Sequence, residues 1–351
     1  MNLVTFHSNA RSDGDRGVEF GRANSLKISR TVDLYQHLFD RLAGEHVDLG
    51  GYGHIALDRI ASVSPALARE VDGIAIGCRL PATSIAAINA RTELLAHLGF
   101  AAHECSTVVQ LNEGRIPLAV QTWDWYSEFR DLCFIWEIPQ GDGCITRTLT
   151  EYGIVGKIGL NTCGIGVLFS ILAHEADGFG GAPVHVLART LLDEARSLSE
   201  ALLRLAEARV SASSALTLVE VKGFDSAVVS AELNPVGVGY VFPNASGLLT
   251  RTNHFLSQPE DLRDIELRED PDSFQRLTTL RRRLAQQQRL VLPTVIAALE
   301  SHQPEIGATC WHADEAPGQE WHFETLATVA LDFSTHSIMA SLGGPCRFDG
   351  E

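Results

Sequence analysis

A thiol that is to attack an acyl carbon needs a base within reach, and Cys105 sits where such an arrangement could be built. It lies in His103-Glu104-Cys105-Ser106-Thr107, at the point where helical patterning gives way to strand patterning. Such a cysteine is either a nucleophile or an ordinary first-strand residue, since lone cysteines are commonly small buried apolar groups. A cysteine–histidine pair is one route to activation, but spacing selects none of His97, His103 and His254 as the partner. Asp124, taken by itself, reads as a strand-end aspartate capping a turn, and Asn253 as a loop residue bonding its own backbone. Cys310, His312, Asp314 and His322 can be drawn around a metal ion, but their spacing is irregular, so no metal site is expected and no cofactor is called for. Gly153-Ile154-Val155-Gly156-Lys157 lacks the first glycine and the hydroxyl residue of a phosphate loop. Gly237-Val238-Gly239-Tyr240 lacks the third glycine of a dinucleotide fingerprint.

The elements that must position these residues fall into two textures. Up to about Leu98 the apolar spacing is helical: Leu34, His37, Leu38 and Leu42 share a face after a cap near Ser29, Ala66 to Ile76 repeats the spacing, and Pro81 opens a helix running through Leu95. After His103 strands dominate. Residues 107–111 and 116–122 form an expected hairpin around Asn112-Glu113-Gly114, and residues 132–138 and 144–150 a second one around Gln140-Gly141-Asp142-Gly143. Further strands are expected over 157–160, 166–171, 215–221, 226–233, 238–242, 326–333 and 337–342, with helices over 184–194, 199–208, 271–287 and 292–301. Strands in runs with helices in blocks indicate an α+β layered fold, not alternating βαβ units.

Composition limits partners and surroundings. The 351 residues are 45% hydrophobic, enough for a sizeable core, and carry 44 acidic against 28 basic residues, a formal charge of -16. Such a surface repels phosphate backbones and anionic lipid, so neither nucleic acid nor a membrane is an expected partner. No export signal is recognisable in the first residues, and the seven cysteines (the others are Cys78, Cys133, Cys144, Cys163 and Cys346) show no paired spacing. The expectation is a reducing, cytoplasmic setting.

Several blocks, in order, resemble the acyl-coenzyme A:6-aminopenicillanic acid acyltransferase family, a branch of the N-terminal-nucleophile hydrolases. They are Ile88-Asn89-Ala90-Arg91-Thr92-Glu93-Leu94, Cys105-Ser106-Thr107, Gln121-Thr122-Trp123-Asp124-Trp125, the run from Thr150 through Gly164, Gly181 to Arg189, and Thr252-Asn253-His254-Phe255, with a weaker Gly344-Pro345-Cys346. The resemblance implies a four-layer αββα sandwich made as a precursor that cuts its own Glu104–Cys105 bond. The two fragments, 1–104 and 105–351, would stay together as one compact domain, and a homo-oligomer is compatible with this.

By the same resemblance Cys105 is the nucleophile, its freed α-amino group the base, Asp124 the residue that orients the ammonium, and Asn253 an oxyanion donor. A free α-amino group titrates near 7.7–8.0, close to working pH, whereas a thiol has a reference value of about 8.5 and needs help. The implied reaction is cleavage of a linear amide through a thioester, with the acyl group passed to water or an amine; the implied substrate is a small amide or acyl thioester. Asn161 and Thr122 are carried along as supporting residues. His322 falls nearest to the family's C-terminal arginine, with Arg347 as another candidate. Glu104 departs from the glycine often found before the cysteine. Arg91, Glu93, His185 and Arg189 read as structural. Two other readings stay open: an unprocessed Cys–His hydrolase, and a non-catalytic family member that binds a small amide or a protein partner.

Overall fold

The structure, a computed structural model, describes residues 3–10, 12–100, 105–257, 263–269, 271–313 and 321–349. A short strand β1 (Thr5–His7) leads into the helices α1 (Asp13–Ala23), α2 (Ser25–Ala43), α3 (Leu49–Val63), α4 (Pro65–Cys78), α5 (Ala82–Asn89) and α6 (Arg91–His97). From Cys105 the chain turns to strands β2 (Cys105–Asn112), β3 (Arg115–Tyr126), β4 (Cys133–Pro139), β5 (Ile145–Glu151), β6 (Ile158–Asn161) and β7 (Ile165–Ile171). Helices α7 (Val184–Glu194) and α8 (Leu198–Glu207) precede β8 (Ser214–Lys222), β9 (Asp225–Asn234), β10 (Gly237–Val241) and β11 (Leu248–Arg251). The chain then runs through α9 (Glu266–Glu269), α10 (Asp272–Ala285) and α11 (Leu292–Leu299) to β12 (Phe323–Asp332) and β13 (Ser337–Leu342).

Among the described residues the strands form two sheets. One has eight strands in the order β1-β4-β5-β6-β7-β8-β9-β10, the other five in the order β11-β2-β3-β12-β13. Strand alternation sorts the smaller sheet's side chains. Val109, Ala119, Trp123, Val329 and Leu331 enter the core shared with the larger sheet and α1–α8. Val108, Val120 and Ala330 face Leu280, Leu284, Val295 and Leu299 of α10 and α11. Helices, sheet, sheet and helices make the αββα stacking, and the helices before residue 101 share one apolar cluster with the strands after 104.

The expected hairpins are present, with Gly114 and Gly143 at positive φ in their turns. Two expectations near the N-terminus need correction, and one helix there has no signal of its own. Helix α2 begins at Ser25 and runs through Ser29, so Ser29 caps nothing. The helix after Pro81 breaks at Ala90 into α5 and α6. Helix α1 was not anticipated, because Gly14, Gly17 and Gly21 argue against a helix on propensity alone.

Contact explains those glycines. A Cβ on Gly17 would lie 2.2 Å from the Glu70 carbonyl oxygen, and one on Gly73 would lie 2.2 Å from that of Gly14, so α1 and α4 cross backbone to backbone. Gly73→Ala is therefore expected to lower Tm by several degrees, because forcing the helices apart costs about 1–3 kcal/mol and outweighs the ~1 kcal/mol helix-propensity gain. Gly14→Ala is the control. Its Cβ would meet nothing closer than 3.8 Å, so thermal melts should show no loss.

Candidate active site

Cys105 opens β2 and pairs with Trp123 across the hairpin, which buries it between the sheets. Its backbone N–H donates to Asn253 Oδ1 at 2.7 Å, and its carbonyl oxygen accepts from Arg276 Nη1 at 3.2 Å. Arg276 Nη2 donates to the same Asn253 oxygen at 3.2 Å, while its Nε is held by Asp272 Oδ2 at 2.9 Å. The segment carrying Asn253 is fixed to the start of α10: Asn253 N–H donates to Ser273 Oγ at 2.9 Å, and the Thr252 hydroxyl donates to the Ser273 carbonyl at 2.9 Å. The result is a clamp on the main chain of Cys105, one jaw on each side of the residue. Glu104 and His103 lie outside the described residues.

Asp124 follows Trp123 on β3 and points to the helix-covered face of the smaller sheet, opposite Thr325 of β12. The Thr325 hydroxyl accepts the Trp311 N–H at 2.9 Å and acts on the Asp124 carboxyl across the strand pair. Neither Asp124 oxygen completes a hydrogen bond among the described residues. Burial pushes this carboxyl up to about 7, Asp272 adding to the rise while Thr325 and Arg276 oppose it. Burial likewise pushes the Cys105 thiol up to about 11. Asp124 reinforces that rise, and Lys157, Gln121 and Arg276 counter it.

Lys157 enters from the turn before β6. Its Nζ stands 3.3 Å from the centroid of the Trp123 ring and 3.9 Å from Glu151 Oε2. Burial and the Arg91 charge hold its ammonium well below the usual lysine range. Arg91 pairs with Glu151 at 3.1 Å and stacks on Trp125, and Glu93 Oε1 accepts the Val184 N–H at 2.9 Å. Gln121, on the Cys105 side of β3, exchanges amide hydrogen bonds with the backbone of Phe169 and so ties the two sheets beside the thiol.

The other sequence candidates are placed as follows. Asn161 spends its amide N–H groups on the carbonyls of Leu192 and Ala195 and its oxygen on the N–H groups of Cys163 and Ile165, so it braces the β6–β7 turn and α7. None of these bonds is to Cys105. The Thr122 hydroxyl accepts the Ser106 N–H at 3.1 Å and steadies β2 one residue past Cys105. His322 pairs with Glu128 at 3.3 Å. Arg347 sits in a short turn after β13. The arginine that reaches Cys105 is Arg276, which sequence reasoning missed. A signal existed: Ser273, Arg276, Leu277, Leu280 and Leu284 share the buried face of α10, which puts a guanidinium in an apolar stripe. Asn253 also differs in part from expectation. It meets Cys105 through its oxygen, and its Nδ2 donates to the Ile171 carbonyl at 2.9 Å.

No described histidine hydrogen-bonds the Cys105 sulfur. His254 stacks on Phe274 and bonds Ser273 Oγ at 2.9 Å, and burial with Arg251, Arg276 and Arg281 pushes it down to about 3. His185 is held by Gly156 and Thr92, and His97 stands edge-on to Tyr52. A cavity of about 340 Å³ opens beside Ile171 and is also lined by Leu95, Phe100, His174, Asp177 and Arg268. It lies at the C-terminal end of α6, where the described chain stops at Phe100 before resuming at Cys105.

The raised Asp124 carboxyl makes a pH prediction for the uncut chain. Folded, it holds its proton up to about 7; unfolded, it releases it near 3.9. Between those values the folded state binds more protons, so stability falls as pH rises. Glu93, raised to about 7, and Asp177, raised to about 6, act in the same direction. In a Cys105→Ala background, Asp124→Asn should be neutral near pH 4 and stabilising by a few kcal/mol at pH 8, read from urea midpoints at both values. Equal midpoint differences at the two pH values would contradict the assignment.

The family model for acyl-coenzyme A:6-aminopenicillanic acid acyl-transferase matches residues 111–347. The chain belongs to that family. It is 29% identical over 212 residues to the acyl-coenzyme A:6-aminopenicillanic-acid-acyltransferase 40 kDa form of Emericella nidulans, an alignment spanning 60% of this chain and 58% of that protein. Among solved structures, a Caenorhabditis elegans N-acylethanolamine-hydrolyzing acid amidase ortholog overlaps 68% of this chain and 99% of its own at a TM-score of 0.48 and 12% identity. Penicillin V acylase from Agrobacterium tumefaciens overlaps 68% of this chain and 83% of its own at 0.45 and 12% identity. Overlaps of that quality bear on neither the activity nor the site.

Proposed function

We propose that this chain is a self-activating thiol amidohydrolase or acyltransferase whose working form begins at Cys105. The observation that carries the reading is the clamp on the Cys105 backbone nitrogen. That nitrogen is gripped by Asn253 Oδ1 at 2.7 Å, the buried Asp124 carboxyl acts electrostatically on the thiol of the same residue, and no described histidine hydrogen-bonds its sulfur. The gripped nitrogen is the atom that would become an amine once the peptide bond before it is cut.

In the precursor, Cys105 Sγ attacks the Glu104 carbonyl carbon, the acyl group moves from nitrogen to sulfur, and water hydrolyses the thioester. A free amine and thiol remain on the same residue. The new ammonium then stands beside Asp124, and pairing with it favours the ionised carboxylate. With a substrate amide, the neutral amine takes the thiol proton, sulfur attacks the acyl carbon, and the leaving amine collects the proton. Arg276 places positive charge near the thiolate. Asn253 holds the amine through its oxygen, and Arg276 fixes the carbonyl side of the same residue. The cavity beside Ile171 is the proposed acyl or leaving-group pocket.

N-terminal sequencing and intact mass of the purified protein test this directly. The expected result is a chain beginning Cys-Ser-Thr-Val together with its partner fragment. A single fully active species of 38.1 kDa would refute self-activation.

A further inference from the structure

We propose that His302, Cys310, His312 and Cys346 form a structural zinc site. The fold assembles it from three separate segments: the residues after α11, the extended segment 310–312, and the turn that follows β13. The spacing in sequence pointed to only half of it. Of the four positions weighed there as ligands, only Cys310 and His312 belong; Asp314 lies outside the described residues, and His322 is paired with Glu128. The other two ligands arrive from eight residues upstream and from the C-terminal end, which is why linear spacing failed.

The distances are those of a tetrahedron's edges. Cys310 Sγ lies 3.6 Å from Cys346 Sγ and 3.8 Å from His312 Nε2, and Cys346 Sγ lies 3.4 Å from His312 Nε2. Zinc bonded to sulfur at about 2.3 Å and to nitrogen at about 2.0–2.1 Å places its ligand atoms roughly 3.3–3.8 Å apart. His302 completes the set: its ring stacks on that of His312 at 5.1 Å between centroids, and all four ligand atoms lie within 4.8 Å of one another. A small side-chain rotation of exposed His302 closes the shell. Close approach is built into the backbone as well. A Cβ on Gly344 would fall 2.4 Å from Cys310 Sγ, so glycine at that position lets the C-terminal turn come down onto the thiol.

Two thiols and two imidazoles select a borderline-soft ion with tetrahedral habit, which favours zinc over magnesium or calcium. On binding, the two thiols give their protons to solvent, and two thiolates with one divalent ion leave the site neutral. Four protein ligands leave no open position, so the ion's role is structural. What it would brace is near the proposed chemistry. Trp311, between two of the ligands, exchanges backbone and hydroxyl hydrogen bonds with Thr325 at 3.1 and 2.9 Å, and Thr325 pairs with Asp124. His302, His312 and Cys346 are exposed, so an ion has a way in.

The test is metal content of the whole chain, expressed without a metal-binding tag in zinc-supplemented cells and dialysed. Elemental analysis should find about one zinc per chain, released when an organomercurial is added, and Cys346→Ser or His312→Ala should lower it at least about tenfold. Cys163→Ser should keep it. If the ligand variants do not fold, cobalt(II) added to demetallated wild-type protein decides instead, since tetrahedral cobalt thiolate has strong visible absorption. Wild-type protein without stoichiometric zinc or the cobalt spectrum, zinc retained in both folded ligand variants, or a Cys310–Cys346 disulfide in the isolated protein would overturn the proposal.

Discussion

Protein carrying Cys105→Ala is expected to remain a single 38.1 kDa chain and to turn over no amide, while wild type separates into fragments joined only by non-covalent contacts. Losing the nucleophile that performs both cleavage and turnover should lower substrate turnover by at least about a thousandfold, since residues of one catalytic unit fail together. The fold should survive. The Cys105 sulfur fills a small buried space, and the backbone bonds to Asn253 and Arg276 do not involve the side chain. Thermal stability close to that of the uncut parent separates lost chemistry from lost structure.

Cys105→Ser sharpens the case. A hydroxyl is a weaker nucleophile than a thiol, yet it keeps the geometry of attack on the Glu104 carbonyl, so cutting should be slow rather than absent. After cutting, its α-amino group would remain under the same clamp. A time course on denaturing gels gives the rate. If Cys105→Ala is cut between residues 104 and 105 as fast as wild type, an outside protease makes the cut and the proposed activation fails.

How far the site could be read from the sequence depended on which residues form local patterns. A change of texture marked the place of Cys105, but its role and that of Asp124 came only from the family resemblance, since by itself Asp124 reads as a strand-end aspartate. The hairpin that joins them was legible from Asn112-Glu113-Gly114 and the flanking β-branched residues. Arg276 and Lys157 were harder. Each becomes a neighbour of Cys105 only through tertiary contact, Lys157 across the sheet interface and Arg276 from a helix 171 residues along the chain. The same limit hid α1, whose glycines make sense only against α4, and the four-ligand cluster, whose spacing in sequence is irregular although its spacing in space is regular. Asn161 shows the opposite case. Its place in a family-like block suggested chemistry, whereas its four hydrogen bonds hold a turn.

Arg276→Met is expected to slow both self-cutting and amide turnover by about a hundredfold, the scale on which misplacing a reacting group by an ångström is felt. The buried guanidinium bonds the Cys105 carbonyl and the Asn253 oxygen at once, so it sets the spacing between the nucleophile's backbone and the group that grips its nitrogen. Methionine fills similar volume and keeps the apolar stripe of α10, but it makes neither bond. Arg276→Lys keeps the charge, yet a compact ammonium cannot span Cys105, Asn253 and Asp272 together, so it should recover only part of the rate. A purely structural arginine would show as a lower Tm alone. The distinguishing readout is pH. Arg276 holds the Asp124 carboxyl down against burial, so without it that carboxyl ionises at higher pH. The acid limb of the rate profile should therefore move upward in Arg276→Met, and less in Arg276→Lys. A profile that keeps its shape while the whole rate falls would mean that the guanidinium acts on the fold and not on the Cys105–Asp124 pair.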